Sequence, residues 1–185
     1  MFKLFLPGVL MLTLLSSCDP ADKYATEIEQ IDSCLLVLDD IEERFNGIEF
    51  DSLAYMVTHV LNNEDSVKKY YTPDTLSMDI GIRMNDCKGI RKSMKGVKVK
   101  QEEFSMEISQ LRLQFENLKE DIANGVLKDE QVKDYLVTET KDLEVLNLSF
   151  TAFYELQELQ SQYYYASSPI IDEFIADLKN EANQE

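Results

Sequence analysis

Apolar residues recur every three or four positions along most of the chain, a spacing that places them on one face of an α-helix. No run after residue 21 alternates apolar and polar residues as a half-buried β-strand would. The pattern predicts an all-α protein with helices at about 22–46, 51–71, 74–124, 129–167 and 169–181. The polar tail 182–185 is expected to fray.

The longest of these helices rests on a heptad register that never slips. Of its 14 core positions 12 are apolar. Gly81, Gly89 and Gly96 each cost about 1 kcal/mol in a helix relative to alanine, but a broken helix has no reason to keep one register. We therefore predict a continuous helix of about 49 residues, roughly 75 Å long. The core positions are Leu76, Ile80, Arg83, Cys87, Ile90, Met94, Val97, Gln101, Phe104, Ile108, Leu111, Phe115, Leu118 and Ile122.

A turn over 124–129 contains helix-stop residues, so the next helix is expected to return antiparallel. The apolar stripe of that helix widens after Phe153, which is typical of burial among several helices. Residues 22–181 are thus expected to form one domain, an antiparallel bundle of about four helices from which two long helices project as a coiled-coil hairpin. Ser168-Pro169 is expected either to kink the last long helix or to cap a short fifth one.

The first 18 residues have a different pattern. Lys3 provides a positive start, and the mostly apolar run Leu4–Leu15 is too short to cross about 30 Å of hydrocarbon. These features are typical of a secretory signal peptide. The following Leu15-Ser16-Ser17-Cys18 resembles the lipobox of bacterial lipoproteins, and the whole layout is similar to small all-helical lipoproteins of Gram-negative envelopes.

This resemblance implies that residues 1–17 are cleaved and that Cys18 carries lipid on its sulfur and an acyl chain, such as palmitate, on its amine. Residues 18–21 would then form a short tether to the membrane. Two or three acyl chains anchor a protein stably. The resemblance implies an exported protein in the cell envelope, with the outer membrane favoured over the inner. An ordinary signal peptide that ends near a cysteine is the alternative.

Charge and composition argue against several classes of function. The chain has 35 acidic and 18 basic residues, a formal charge of −17, which disfavours nucleic acid as a partner. With one histidine, His59, neither a Ser-His-Asp triad nor a di-iron bundle with two Glu-x-x-His pairs can be assembled. The acidic pairs are typical of solvated helix faces. We therefore predict a non-enzymatic protein with no cofactor and no metal site, in which His59 is an ordinary, partly exposed residue.

One stretch reverses the overall charge. Residues 83–100 contain seven basic residues and one acidic residue, Asp86. The favoured interpretation is ion pairing with acidic helix faces such as 39–43, and the other is a docking band for an acidic partner. The candidate contacts in this band are Lys88, Arg91, Lys92, Lys95 and Lys98.

Two further groups are candidates for partner contacts. Tyr163, Tyr164 and Tyr165 are consecutive, so they cannot all face one helix seam. They predict either an interface or packing against the first two helices. Val126 and Leu127 lie at the predicted tip of the hairpin.

The two remaining cysteines, Cys34 and Cys87, both fall at or beside core positions. An exported compartment permits a disulfide between them. The alternative is two buried free thiols that pack as small apolar groups.

Taken with the missing catalytic motifs, the long heptad register favours a lipid-anchored scaffold or adaptor that presents its hairpin to envelope proteins. Heptad seams also serve self-association, so a homo-oligomer is possible. The alternative is a binding or chaperone-like module that holds a ligand or an unfolded client.

Overall fold

The computed structural model describes residues 20–72 and 75–184. Within these ranges the chain forms six helices and no strand, which confirms the all-α prediction. No helix in the same ranges combines the length and apolar character that a membrane span requires. The predicted signal peptide and the lipidation site Cys18 lie outside the described residues. The helices are α1 (Pro20–Lys23), α2 (Ala25–Asn46), α3 (Phe50–Tyr70), α4 (Met78–Ser93), α5 (Val97–Ala123) and α6 (Asp129–Ala182).

The longest helix, α6, has 54 residues and runs the full length of the molecule, about 80 Å. Helices α2 and α3 lie end to end along it and run in its direction. The Tyr24 hydroxyl, just before α2, donates to Asp129 at the start of α6, 2.6 Å away. Further along, the Phe50 ring at the start of α3 stacks on Phe153, with 6.1 Å between centroids.

Helices α5 and α4 return along α6 in the opposite direction. The Phe104 ring of α5 meets Phe150 edge-on at 5.5 Å, and Ser167 of α6 donates to Asp86 of α4 at 3.2 Å. The described residues therefore form a rod three helices thick along most of its length. Its three columns are α2 with α3, α5 with α4, and α6 alone.

This arrangement replaces the predicted four-helix base with a projecting hairpin. The prediction placed both short helices at one end of the long pair. In the structure α2 covers the half of the rod nearest the 124–128 turn, and α3 covers the other half. In the linker between α2 and α3, Gly47 keeps right-handed helical values, with a φ of −78° and a ψ of −10°, and Glu49 departs from them with a ψ of 70°. The chain bends over this linker and continues in the same direction instead of reversing.

The predicted single helix over 74–124 is wrong, because α4 ends at Ser93 and α5 begins at Val97. Gly96 has a φ of 77°, a left-handed conformation that favours glycine and interrupts the helix. The core register nevertheless passes through the break, since Met94 and Val97 are both buried there. An unbroken heptad register is therefore not sufficient evidence for an unbroken helix.

At Pro169 the structure has one helix and not two. The predicted boundary between 129–167 and 169–181 is wrong, because α6 continues through the proline to Ala182, and the alternative of a short fifth helix is excluded. Proline inside a helix costs about 3 kcal/mol. Burial of Ile171, Ile175 and Leu178 beyond it extends the core stripe of α6, and this packing offsets the cost.

The core differs between the two ends of the rod. We call α1, α2, α5 and α6 up to Phe153 the loop half, and α3, α4 and the remainder of α6 the histidine half. The loop half is filled by apolar side chains at heptad positions. The fully buried ones are Ile31, Leu38, Ile41, Phe115, Ile122, Val132 and Phe150.

Candidate interaction surfaces

A polar network centred on His59 connects α3 to α6 in the histidine half. The imidazole Nδ1 lies 2.7 Å from the Tyr164 hydroxyl, and Nε2 lies 3.2 Å from a carboxylate oxygen of Asp172. In the tautomer with the proton on Nε2, the ring donates to Asp172 and accepts from Tyr164. Both nitrogens of His59 are thus satisfied by side chains of α6.

Neighbouring groups complete this network. Asn63 donates to the same oxygen of Asp172 at 2.7 Å, and Ser168 donates to its other oxygen at 3.4 Å. The Tyr55 ring stacks on His59 with 5.6 Å between centroids. Asp172 therefore accepts from both α3 and its own helix, which fixes the register between α3 and α6.

The members of the network differ in exposure. The Tyr164 residue is 6% exposed, whereas the side chains of His59 and Asp172 are 21% and 44% exposed. Burial raises the pKa of the Tyr164 hydroxyl, so this group keeps its proton and can donate it to His59. The sequence predicted an ordinary, partly exposed histidine, and no spacing signal could have revealed these partners because Asp172 lies 113 residues from His59.

Cys34 and Cys87 are both buried free thiols, which agrees with the second of the two alternatives and not with the disulfide. Cys34 lies 4.0 Å from the hydroxyl of Thr140, and Cys87 lines a small gap together with Ile171. The 31 residues of α6 between Thr140 and Ile171 span about 47 Å, whereas a disulfide needs Cα atoms within about 7 Å. Burial and the nearby Asp86 and Asp172 raise the pKa of Cys87 to about 11.

The basic band over 83–100 divides into paired and unpaired residues. Arg91 contacts Glu64 at 3.0 Å, and Lys98 contacts Asp51. Arg83 and Lys100 pair within their own helices. Lys88, Lys92 and Lys95 are exposed and form no ion pair with any described residue.

The intramolecular interpretation therefore accounts for part of the band, with different partners from those predicted. The acidic face over 39–43 is paired instead by Arg112, which contacts Asp39 at 2.7 Å and Glu42 at 2.8 Å. These hydrogen bonds raise the pKa of Arg112, Asp39 contributing most.

The three consecutive tyrosines point in different directions, as expected. Tyr164 is buried against His59, whereas Tyr163 and Tyr165 are exposed. Tyr165 also borders an open groove of about 290 Å³ between α3 and α6, together with Ser52 and Tyr55. Within this run of tyrosines, one ring therefore packs against α3 and two are exposed.

The turn that joins α5 to α6 lies at the same end of the rod as the start of the described chain. Lys23 contacts Asp129 at 2.5 Å, and this hydrogen bond lowers the pKa of Asp129. Val126 is exposed nearby, and Leu127 is partly buried against the core. We call this the loop end.

A wider groove of about 520 Å³ lies between α3 and the start of α4. Val67, Tyr71 and Met84 form an apolar floor, with Lys68 and Lys88 on the rim. Among the described residues, no group of three or more His, Cys, Asp or Glu side chains is arranged to hold a metal ion. Comparison of the chain with protein-family models, curated proteins and solved structures gave no significant match.

Proposed function

We propose that this protein is a non-enzymatic, lipid-anchored scaffold or adaptor of the cell envelope. The observation that carries the proposal is the position of the described N-terminus, which is fixed to the loop end of a rod about 80 Å long. A lipid on Cys18, two residues before α1, would hold that end at the membrane. The histidine half would then extend away from it.

This orientation changes the roles of the candidate contacts. A hairpin tip was expected to reach toward partners, but Val126 and Leu127 lie beside the anchored end in this proposal, where they would face lipid. The partner contacts are then the exposed groups of the histidine half and the middle of the rod. They are Lys88, Lys92, Lys95, Tyr163 and Tyr165.

The outer membrane is the proposed location, with envelope proteins as partners. The chain's charge of −17 repels anionic headgroups, so the acyl chains rather than a basic patch would provide the attachment. An elongated shape with its lipid at one end suits a protein that displays side faces to several neighbours.

Photo-cross-linking of the full chain in intact cells tests this proposal. With the reactive group at Val126 we expect lipid adducts, and at Tyr165 we expect discrete protein adducts. The matched control is Cys18→Ala, which should move the chain out of the membrane fraction and remove the lipid adducts from Val126. A Cys18→Ala chain that stays in the membrane fraction would overturn the lipid anchor, and lipid adducts from Tyr165 would overturn the orientation.

The second candidate is a ligand-binding or chaperone-like module, and the groove of about 520 Å³ between α3 and α4 favours it. A groove of this volume falls in the range of small-molecule sites. The same photo-cross-linking experiment, with the reactive group at Met84, distinguishes the two candidates. Many weak protein adducts from Met84, together with no discrete adducts from Tyr165, would favour the binding or chaperone-like module.

A further inference from the structure

Helix α6 has a second apolar stripe that faces away from the core. Val145, Leu148, Ala152 and Leu159 are exposed at the spacing of one helix face. Leu148 is 72% exposed. A helix in a bundle needs one apolar face, so this outward stripe lacks a partner within the described part of the molecule.

From Asp142 onward the charged residues beside this stripe are acidic, and Lys141 lies one turn before Val145. Between Asp142 and Leu178, α6 contains no lysine, arginine or histidine. Glu155 and Glu158 are exposed and form no ion pair with any described residue. The outward face of α6 therefore fits an apolar surface that carries positive charge.

The column formed by α4 and α5 has an outward face of that kind. Val99, Met106 and Leu113 recur every seven residues on α5, and all three are more than half exposed. Lys92 and Lys95 lie just before them along this column and are exposed and unpaired among the described residues. Apolar and basic groups thus follow one another along this face, with one exposed acidic residue, Glu102, between Val99 and Met106.

The two outward faces match along the length of the rod. Gly89 lies against Gln160, and Phe104 lies against Phe150 and Phe153. Lys92 and Lys95 lie between those two contacts, at the level of α6 that carries Glu155 and Glu158.

The apolar parts of the two faces also lie level with each other. Leu111, which lies between Met106 and Leu113 along α5, lines a groove together with Val145 and Leu146 of α6. In a rod three helices thick, the outward faces of two columns point to different sides, so they cannot meet within one molecule.

We propose that a second copy of this chain covers the outward face of α6 with its own α4–α5 face. The copies lie side by side with their loop ends together, so that Leu148 meets Met106 and Glu155 and Glu158 meet Lys92 and Lys95. After one contact, the first copy still has a free α4–α5 face and the second still has a free α6 face, so the contact is heterologous and extends into a ring or a row. Copies anchored at their loop ends in one membrane have this relative orientation.

Cysteine cross-linking of the full chain in cell membranes tests the proposal. A chain with Leu148→Cys and Met106→Cys is mildly oxidised and resolved on a non-reducing gel. We expect a ladder of dimers and larger multimers, and at least fivefold less in the same chain with either Lys92→Glu/Lys95→Glu or Glu155→Lys/Glu158→Lys. A chain that carries all four charge reversals should recover the ladder, because complementary charges face each other again.

The matched control is a chain with Leu36→Cys and Met106→Cys. Leu36 is 68% exposed on α2, away from both faces, so this chain should give no ladder. Circular dichroism checks that each variant keeps its helix content. No ladder in the Leu148→Cys/Met106→Cys chain overturns the proposal, as does a ladder unaffected by the charge reversals or not restored by all four together. Cross-linking to a different protein alone also overturns it.

Discussion

The two halves of the rod are held together by different chemistry. The loop half has three columns of apolar heptad residues, with polar groups kept to the outside apart from Glu139. The histidine half carries a connected polar network, a proline inside its longest helix and a helix break at its border. In the loop half, the regular spacing of apolar residues determines which helix faces pack together. In the histidine half, where that spacing is interrupted, specific hydrogen bonds between side chains fix the register of one helix against the next.

Removal of a large apolar side chain from the loop half should have the largest effect. Phe115 is completely buried, and Phe115→Ala is expected to lower the free energy of unfolding by about 3–5 kcal/mol. Chemical denaturation followed by circular dichroism measures the change. Leu36→Ala, at an exposed position of α2 away from the proposed contact faces, is the control and should stay within about 0.5 kcal/mol of the original chain.

Loss of one hydrogen bond should have the next largest effect, in the histidine half. Tyr164→Phe keeps the ring but leaves Nδ1 of His59 without its closest donor, so we expect a loss of about 1–2 kcal/mol in the free energy of unfolding. Tyr163→Phe, at the exposed neighbour, is the control. Equal unfolding midpoints for the two variants would contradict a stabilising role for the network.

Glu139 is the exception within the loop half, and its replacement should make that half more uniform. One carboxylate oxygen is buried without a hydrogen-bond partner, and burial, assisted by Asp142, raises the pKa of Glu139. Glu139→Leu is expected to stabilise the chain by about 1 kcal/mol at pH 7 through apolar burial, with a smaller gain from Glu144→Leu on the exposed face.

The pH dependence of this gain follows from the raised pKa. The folded chain holds the Glu139 proton more tightly than the unfolded chain, so ionisation destabilises the fold as pH rises through the range just above the ordinary pKa of glutamate. The advantage of Glu139→Leu should therefore be full at pH 7 and should shrink as the pH falls below that range. An advantage that is larger at low pH would contradict this account.

Two glycines should give small effects of opposite sign. Gly96→Ala places a side chain at a φ of 77° and is expected to destabilise the fold by about 1 kcal/mol. Gly81→Ala lies within α4, where the nearest side-chain atom would be 4.0 Å from the new methyl group, and should stabilise it by about 0.5–1 kcal/mol. Thermal unfolding of the pair measures both, and a stabilising Gly96→Ala would contradict the helix break.

Sequence periodicity was informative where structure depends on neighbours along one helix. Ten apolar positions of the register from Cys87 to Ile122 are buried as predicted, because heptad spacing alone brings them to one face. The same spacing could not reveal the break at Gly96, where the core positions stay in phase. Nor could it reveal the direction taken after Gly47.

The candidate surfaces were less predictable, because they depend on distant parts of the chain. The basic band was visible in the sequence, but which of its residues are paired depends on Asp51 and Glu64, which lie on α3. The widened apolar stripe of α6 was also visible. This widening predicts burial, but much of it faces outward.

Both helix breaks lie beside the same short stretch of α6. Gly47–Glu49 falls next to Phe150 and Phe153, and Met94–Gly96 falls between the levels of Phe153 and Gln160. Along these ten or so residues, about 15 Å, α6 is the only column whose backbone hydrogen bonds continue without interruption. Bending stiffness is therefore lowest there, and a sideways load on the far end concentrates its curvature at that level, midway along the rod.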